Sequence, residues 1–338
     1  WYNKVSRDLL MEQMTPLELG SSTGAMMNNV GKVKNTGLEI ALTTTNVQTK
    51  NFFWSTTFSF STNKNEILEL NGGKEDLVAN KWFIGQPIDV LYDYEYDGVC
   101  TAEEAKAYAN NSAIKTKFIE GEMKIKDQQQ PGEEGYGVID ENDLVVLGHA
   151  LPTWSGSISS NMTYKNFDFS FSIYTKQGCK VASPFMAEFT NYKDRGRNKL
   201  KMDYYIPAGT PVLNADGKGY TLTTETHYGS YPYPTNTGSN NYGGGIGWGT
   251  DKQTTYASNS YVDNSFWKVK NITLGYTFPK TWMSKLGVES LRLYVNVLNP
   301  FTFTDYKGFD PEWADAKLND GTGGPSSRTY QVGVNLKF

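Results

Sequence analysis

The last nine residues alternate without a break. Tyr330, Val332, Val334, Leu336 and Phe338 fall on one side, and Gln331, Gly333, Asn335 and Lys337 on the other. A period of two gives a strand with one apolar and one polar face. The same pattern recurs upstream. Leu38, Ile40 and Leu42 alternate with Glu39, Ala41 and Thr43, and Phe52, Trp54, Phe58 and Phe60 alternate with Phe53, Ser55, Thr57, Ser59 and Ser61. Ile158, Met162 and Tyr164 are interleaved with Ser157, Ser159, Asn161 and Thr163, and Phe167, Phe169, Phe171 and Ile173 with Asp168, Ser170, Ser172 and Tyr174. Leu291, Leu293, Val295 and Val297 alternate with Arg292, Tyr294 and Asn296. Ile272, Leu274, Tyr276 and Phe278 do the same, but Val269 falls on the wrong parity, which predicts a bulge near Lys270 and Asn271. The opening segment reads as a strand of ambiguous alternation. The pattern therefore predicts about eight strands, near 1–13, 32–49, 51–63, 155–164, 166–178, 266–278, 290–299 and 328–338.

The connections follow a rhythm. Those at 50 and 165 are tight and that at 279–289 is moderate, whereas 14–31, 64–154, 179–265 and 300–327 are long. Short and long connections alternate in outer-membrane barrels, which have short periplasmic turns and long extracellular loops. With Phe338 at the periplasmic end, every long connection falls outside. A soluble sandwich or propeller also alternates, but it keeps its outward face polar and has no reason for this parity. The fold class read from the pattern is all-β, an antiparallel transmembrane β-barrel with long extracellular loops.

Composition agrees. Hydrophobic residues are 38% and mean hydropathy is −0.52, yet in a barrel only alternate residues meet lipid. No stretch of 18 apolar residues exists to form a membrane helix. Aromatics reach 14%, and Trp54, Phe58, Trp154, Phe167 and Trp267 suit a membrane-facing girdle. Arg292, Asn296, Asp168 and Asn335 are expected to line the lumen. A net charge of −4 offers no footprint for nucleic acid. Two cysteines, Cys100 and Cys179, are too few for a disulfide scaffold and read first as free thiols, with a bridge left open. The chain starts at Trp1 inside a strand-like segment, and is read as a fragment or processed product.

Several runs resemble one family. Asn29-Val30-Gly31-Lys32-Val33-Lys34-Asn35-Thr36-Gly37-Leu38-Glu39 is similar to a signature of SusC/RagA-type TonB-linked outer-membrane proteins. So are Ile84 to Ile88, Tyr94 to Gly98, Leu147 to Pro152, Tyr164 to Phe169, Phe266-Trp267-Lys268-Val269-Lys270-Asn271-Ile272, and the loop from Tyr306 through Gly308-Phe309-Asp310-Pro311-Glu312. They occur in the family's order along nearly the whole chain. The resemblance implies that residues 1–338 are the C-terminal portion of a larger plugged barrel, of about 22 strands, whose N-terminal plug is absent from this chain. It implies a SusD-like surface lipoprotein as lid, TonB acting through the missing plug region, a lipid bilayer around the wall, and a dimer of transporter–lipoprotein pairs. It implies import of a glycan or oligosaccharide, or of a peptide, by a Bacteroidetes-type bacterium.

The chain departs from the family in the loop 121–143. The acidic, glycine-rich run expected there is replaced by Asp127, Gln128-Gln129-Gln130 and then Gly137-Val138-Ile139-Asp140-Glu141-Asn142-Asp143. Oxygen ligands at this spacing suit Ca²⁺, but the ligand-rich centre is missing and a solvated acidic loop is the simpler expectation. No other cofactor is expected.

Catalytic chemistry is not indicated. His149 and His227 lie far apart in different predicted loops, and no metal-protease, nucleophile-elbow or paired-cysteine motif is present. The Gly243-Gly244-Gly245 run lacks the lysine and strand–helix frame of a phosphate loop. The loop 220–261 offers binding instead. Its candidate solute contacts are Tyr228, Tyr231, Tyr233, Tyr242, Trp248 and Tyr256, whose amphipathic rings can stack on sugar faces. The plain alternative is that these rings pack the loop or meet a protein partner. The function expected is TonB-dependent import. The alternatives are a small self-contained barrel with a structural or adhesive role, and a passive porin.

Overall fold

The computed structural model describes residues 1–14, 25–183, 202–232, 260–314 and 325–338. In chain order the strands are β1 (Tyr2–Met14), β2 (Ala25–Gln48), β3 (Phe52–Glu69), β4 (Val90–Tyr94), β5 (Tyr96–Val99), β6 (Met123–Ile125), β7 (Leu144–His149) and β8 (Trp154–Tyr164). They continue as β9 (Phe167–Gln177), β10 (Lys180–Ala182), β11 (Pro211–Leu213), β12 (Tyr220–Leu222), β13 (Tyr261–Asp263), β14 (Phe266–Thr277), β15 (Ser290–Phe303) and β16 (Thr329–Lys337). The helices include α1 (Ala102–Asn110) and the short α2 (Lys280–Met283).

Eight strands form one antiparallel wall in the order β1-β2-β3-β8-β9-β14-β15-β16. Its register keeps the two faces distinct. One row across the wall reads Val47, Trp54, Met162, Phe169, Leu274, Val295, Val332, and the row beside it reads Thr45, Ser55, Asn161, Ser170, Thr273, Asn296, Gln331. Side chains alternate across a strand, so adjacent rows must face opposite ways. On the polar face Thr273 Oγ1 donates to Asn296 Oδ1 at 2.9 Å, and Asn296 Nδ2 donates to Gln331 Oε1 at 2.9 Å. Arg292 and Asp168 pair on this face as well. The apolar face is open, with Leu274 52%, Val295 48% and Val332 81% exposed. Rings gather at both ends of that face. Trp154 meets Phe60 and Trp267 near one end, and Phe167, Tyr276, Phe278 and Trp282 succeed one another at the other.

The connections also divide by end. Turns at 49–51 and 165–166 and the segment 278–289 lie at one end, with the chain terminus, and the long segments at the other. Three strands run further than the alternation suggests. β2 starts at Ala25, inside the expected loop 14–31, because it stays paired with β1 as far as Met14↔Ala25. β3 continues to Glu69, held by pairing to Lys32 and a Lys32–Glu69 ion pair at 2.8 Å. β15 reaches Phe303, opposite Trp267. These extensions pass beyond the apolar zone, where a strand has no reason to alternate. The expected bulge is present: pairing steps from Val269 to Asn271, which leaves Lys270 as the extra residue against β9, while on the β15 side Asn299 and Pro300 stand unpaired opposite it. Among the described residues, no ladder joins β1 to β16.

Cys100 and Cys179 are buried free thiols. Burial, with the nearby Glu104 carboxylate adding to it, pushes the Cys100 thiol up to about 11.

Candidate functional site

The described parts of the long segments at one end of the wall build an interlocked cap. The insert between β3 and β8 starts on Ile67 and Leu70, which are buried against Val33, Leu77, Trp82 and Ile84. It then forms two small antiparallel pairs, β4–β7 and β5–β6. Helix α1 follows β5 because Thr101 caps it: Thr101 Oγ1 accepts from Glu104 N, and Thr101 N donates to Glu104 Oε2 at 2.8 Å. Cys100, Phe118 and Ile125 form the core beneath it.

In the acidic loop 121–143, the Asp127 and Asp143 carboxylates are satisfied from within the loop. Asp127 accepts from Gly137 N at 2.6 Å, and the fully buried Asp143 accepts from Gln128 N and Asp140 N at 2.8 Å each. The Gln129 amide, with its nitrogen turned toward them, donates to Asp127 Oδ1 at 2.9 Å and Asp143 Oδ1 at 3.0 Å. Among the described residues, no three His, Cys, Asp or Glu side chains converge as a metal site.

Loops then lock to loops. Tyr261 Oη donates to Asp93 Oδ2 at 2.6 Å, Lys180 Nζ donates to the Leu147 carbonyl at 2.8 Å, and Tyr96 Oη donates to the Ser230 carbonyl at 2.7 Å. Of the six candidate aromatics, Tyr228 and Tyr231 belong to this locking. Tyr228 Oη donates to Glu120 Oε1 at 2.7 Å and accepts from Ala102 N, while its ring lies 5.6 Å from Tyr205. The Glu120 hydrogen bond, with some desolvation, raises the Tyr228 phenol above its ordinary value. The Tyr231 ring packs edge-on to Tyr204 at 6.2 Å. Tyr228 is 41% exposed. Tyr233, Tyr242, Trp248 and Tyr256 lie outside the described residues. His227 Nε2 meets Asp203 Oδ1 at 2.6 Å, and Asp203 Oδ2 also accepts from the Ser230 N–H and hydroxyl.

The segment 304–314 returns over the polar face of the wall as a strap. Tyr306, 8% exposed, shares a 3.0 Å hydrogen bond with Ser183, and its ring covers Gly308, where a Cβ would collide. Further along, Lys268 Nζ donates to Asp310 Oδ2 at 2.6 Å and to Glu312 Oε2 at 2.8 Å, and Lys270 Nζ donates to Glu312 Oε1 at 2.6 Å. Asn264 Nδ2 donates to the Ala314 carbonyl at 3.3 Å. Lys268 is 1% exposed. The bulge explains why both lysines arrive: with Lys270 outside the ladder, Lys268, Lys270 and Asn271 all lie toward the polar face. Burial pushes both strap carboxylates up, but the hydrogen bonds and charge of the lysines outweigh it and hold both below their ordinary values. The candidate residues chosen from sequence did not include this cluster. Its two halves stand in motifs that carried the family resemblance, but nothing local pairs residues 42 positions apart.

No family model matches this chain. Over its whole length it is similar to curated bacterial proteins. TonB-dependent receptor P26 of Formosa agariphila is 29% identical and TonB-dependent receptor SusC of Bacteroides thetaiotaomicron 26%, the matches spanning 32% and 29% of those proteins. The chain thus spans about a third of the length of the curated relatives it matches. Among solved structures, the RagAB peptide transporter superposes with a TM-score of 0.64 at 21% identity, covering 99% of this chain and 32% of that one. The RagAB peptide importer in its open-open state gives 0.64 at 20% identity, with the same coverage. The wall and cap therefore share the fold of one third of those chains, and the SusC/RagA resemblance of the motifs extends over the full length.

Proposed function

We propose that this chain, similar throughout to SusC-type TonB-dependent receptors, is an arc of the wall of an outer-membrane importer, together with its extracellular cap. One observation carries the reading: an eight-stranded wall with one lipid-compatible face and one hydroxyl- and amide-lined face ends on β1 and β16, which pair with no further strand among the described residues. Unpaired edges are excluded from hydrocarbon, because each open N–H and C=O there costs several kcal/mol. Further strands must continue the wall on both sides. A self-contained eight-strand barrel requires β1 and β16 to pair, and its interior is filled by side chains. The short-turn end would face the periplasm and the interlocked cap the exterior.

In this reading the solute is a glycan or oligosaccharide, or a peptide, captured under a SusD-like lipoprotein lid and released inward when TonB acts on a plug. The curated relatives carry receptor names, and the similar solved structures are of a peptide transporter. The test is to purify the native polypeptide from outer membranes in mild detergent, measure its intact mass and identify what copurifies. A product much larger than 37.8 kDa accompanied by a surface lipoprotein is expected. A native product of that mass running alone would overturn the importer reading.

A further inference from the structure

The short-turn end of the wall is basic. The connections 49–51, 165–166 and 278–289 and the end of β16 carry Lys50, Lys165, Lys280, Lys285 and Lys337, against the acidic side chain of Glu289 alone. Glu289 is taken by Lys337 at 2.7 Å, and Asp168, just inside the turn, is taken by Arg292. Among the described residues no carboxylate pairs with Lys50, Lys165, Lys280 or Lys285, and all four are exposed. Lys165 also holds φ at 52° in its two-residue turn, a conformation ordinarily left to Gly or Asn. Turn geometry alone does not call for a lysine there.

The rings beside these lysines fix the depth at which the charges lie. Tyr164 stands on the apolar face, paired with Phe52 on one side and Phe167 on the other. The Lys165 ammonium lies over the Tyr164 ring, 5.5 Å from its centroid, and is therefore turned to the lipid side of the wall rather than to the lumen. Phe167, Tyr276, Phe278 and Trp282 continue the file of rings, with successive centroids 4.7, 5.1 and 6.5 Å apart. Trp282 is 57% exposed and stands on the short turn of helix between Lys280 and Lys285. Aromatic belts of membrane barrels sit at the level of the lipid headgroups, and a lysine flanking such a belt extends its ammonium into the headgroup layer.

We propose that this collar of rings and unpaired lysines, centred on Lys165 and Lys280, binds the headgroups of anionic phospholipids in the leaflet at the short-turn end, with the acyl chains running along the rings. The inference requires the wall to sit in a bilayer and does not require import. Charge selects the partner: a zwitterionic headgroup brings its own cation, whereas an anionic one neutralises the lysines that no carboxylate of the described residues serves. Each lysine near an anionic surface changes such an equilibrium about fivefold. The rings select a lipid over a free anion, because an acyl chain covers apolar surface that inorganic phosphate leaves in water.

The experiment presents the full-length protein in mild detergent with equal amounts of phosphatidylglycerol and phosphatidylcholine of the same acyl chains, and measures which lipid is retained by native mass spectrometry. The wild type is expected to favour phosphatidylglycerol about 25-fold, Lys165→Gln and Lys280→Gln about fivefold each, and the double variant to approach parity. Lys165→Arg should keep the preference, as should Lys218→Gln in the β11–β12 hairpin of the cap. Salt at about 1 M should erase most of the wild-type preference. An excess of inorganic phosphate should leave the lipid bound. Equal retention of the two lipids by the wild type would overturn the proposal, and so would an unchanged preference in the double variant. Displacement by inorganic phosphate would also overturn it, by making the collar a site for free anions. If the double variant loses its folded band, the wild-type lipid ratio and its salt dependence decide alone. None of these outcomes depends on uptake, so the importer reading stands or falls separately.

Discussion

Arg292 of β15 reaches Asp168 of β9 across the intervening strand, donating from Nε at 2.9 Å and from Nη2 at 2.5 Å. The residue between them is Gly275 on β14, where a Cβ would stand 2.5 Å from Arg292 Nη2 and 2.5 Å from the nearer Asp168 oxygen. The glycine is there to leave a path for the guanidinium, and the ion pair staples three strands of the wall on its polar face.

Gly275→Ala should therefore push the guanidinium off the carboxylate. The expected loss is about 1–3 kcal/mol, the usual scale of overpacking. It is measured as a drop in the temperature at which the folded, fast-migrating band of the full-length protein converts to the unfolded band on a gel. An unchanged transition would mean that Arg292 and Asp168 do not meet across this glycine.

Removing one partner of a buried pair leaves the other charge stranded. Asp310→Ala should leave Lys268 unpaired on one side and destabilise the strap by about 3–5 kcal/mol. Limited proteolysis of the folded protein should then cut within 304–314, where the wild type resists. Resistance equal to wild type would remove the clamp from the account.

The same clamp should be acid-labile. Asp310 and Glu312 both titrate below their ordinary values of 3.8 and 4.5, because Lys268 and Lys270 favour their charged forms despite burial. Groups with depressed values stabilise the fold above the unfolded-state values and lose that contribution as pH falls through the folded ones. Strap protection against hydrogen exchange should hold at pH 6 and diminish below about pH 4. Protection that instead falls as pH rises toward 8 would contradict the sign.

Tyr228 is held as a structural tether by Glu120 and Ala102. Tyr228→Phe keeps the ring against Tyr205 and deletes the hydroxyl, so it should loosen the segment 202–232 by about 1 kcal/mol. A roughly fivefold faster proteolytic nick in that segment is expected, with solute affinity nearly unchanged. A large loss of affinity with unchanged proteolysis would return Tyr228 to the solute site.

The wall was legible in sequence because burial on one face and hydration on the other force a period of two. The bulge was legible too, since one residue of phase slip at Val269 has no other cheap cause. Strand ends were not: residues 25–31, 64–69 and 301–303 extend the ladders beyond the apolar zone, where side-chain pattern carries no information. Tyr228 and Tyr231 show a second limit: nothing in their local sequence reveals that Glu120 and Tyr204 stand beside them in the fold. The clamp shows a third, because Lys268 and Asp310 become partners only through the fold.

The most direct test of the central claim is uptake of a labelled oligosaccharide by cells expressing the full-length protein, with and without TonB and with a protonophore. The account expects uptake that collapses when either TonB or the proton gradient is removed. Uptake that continues unchanged without both would identify a passive pore and contradict an energised, plugged importer.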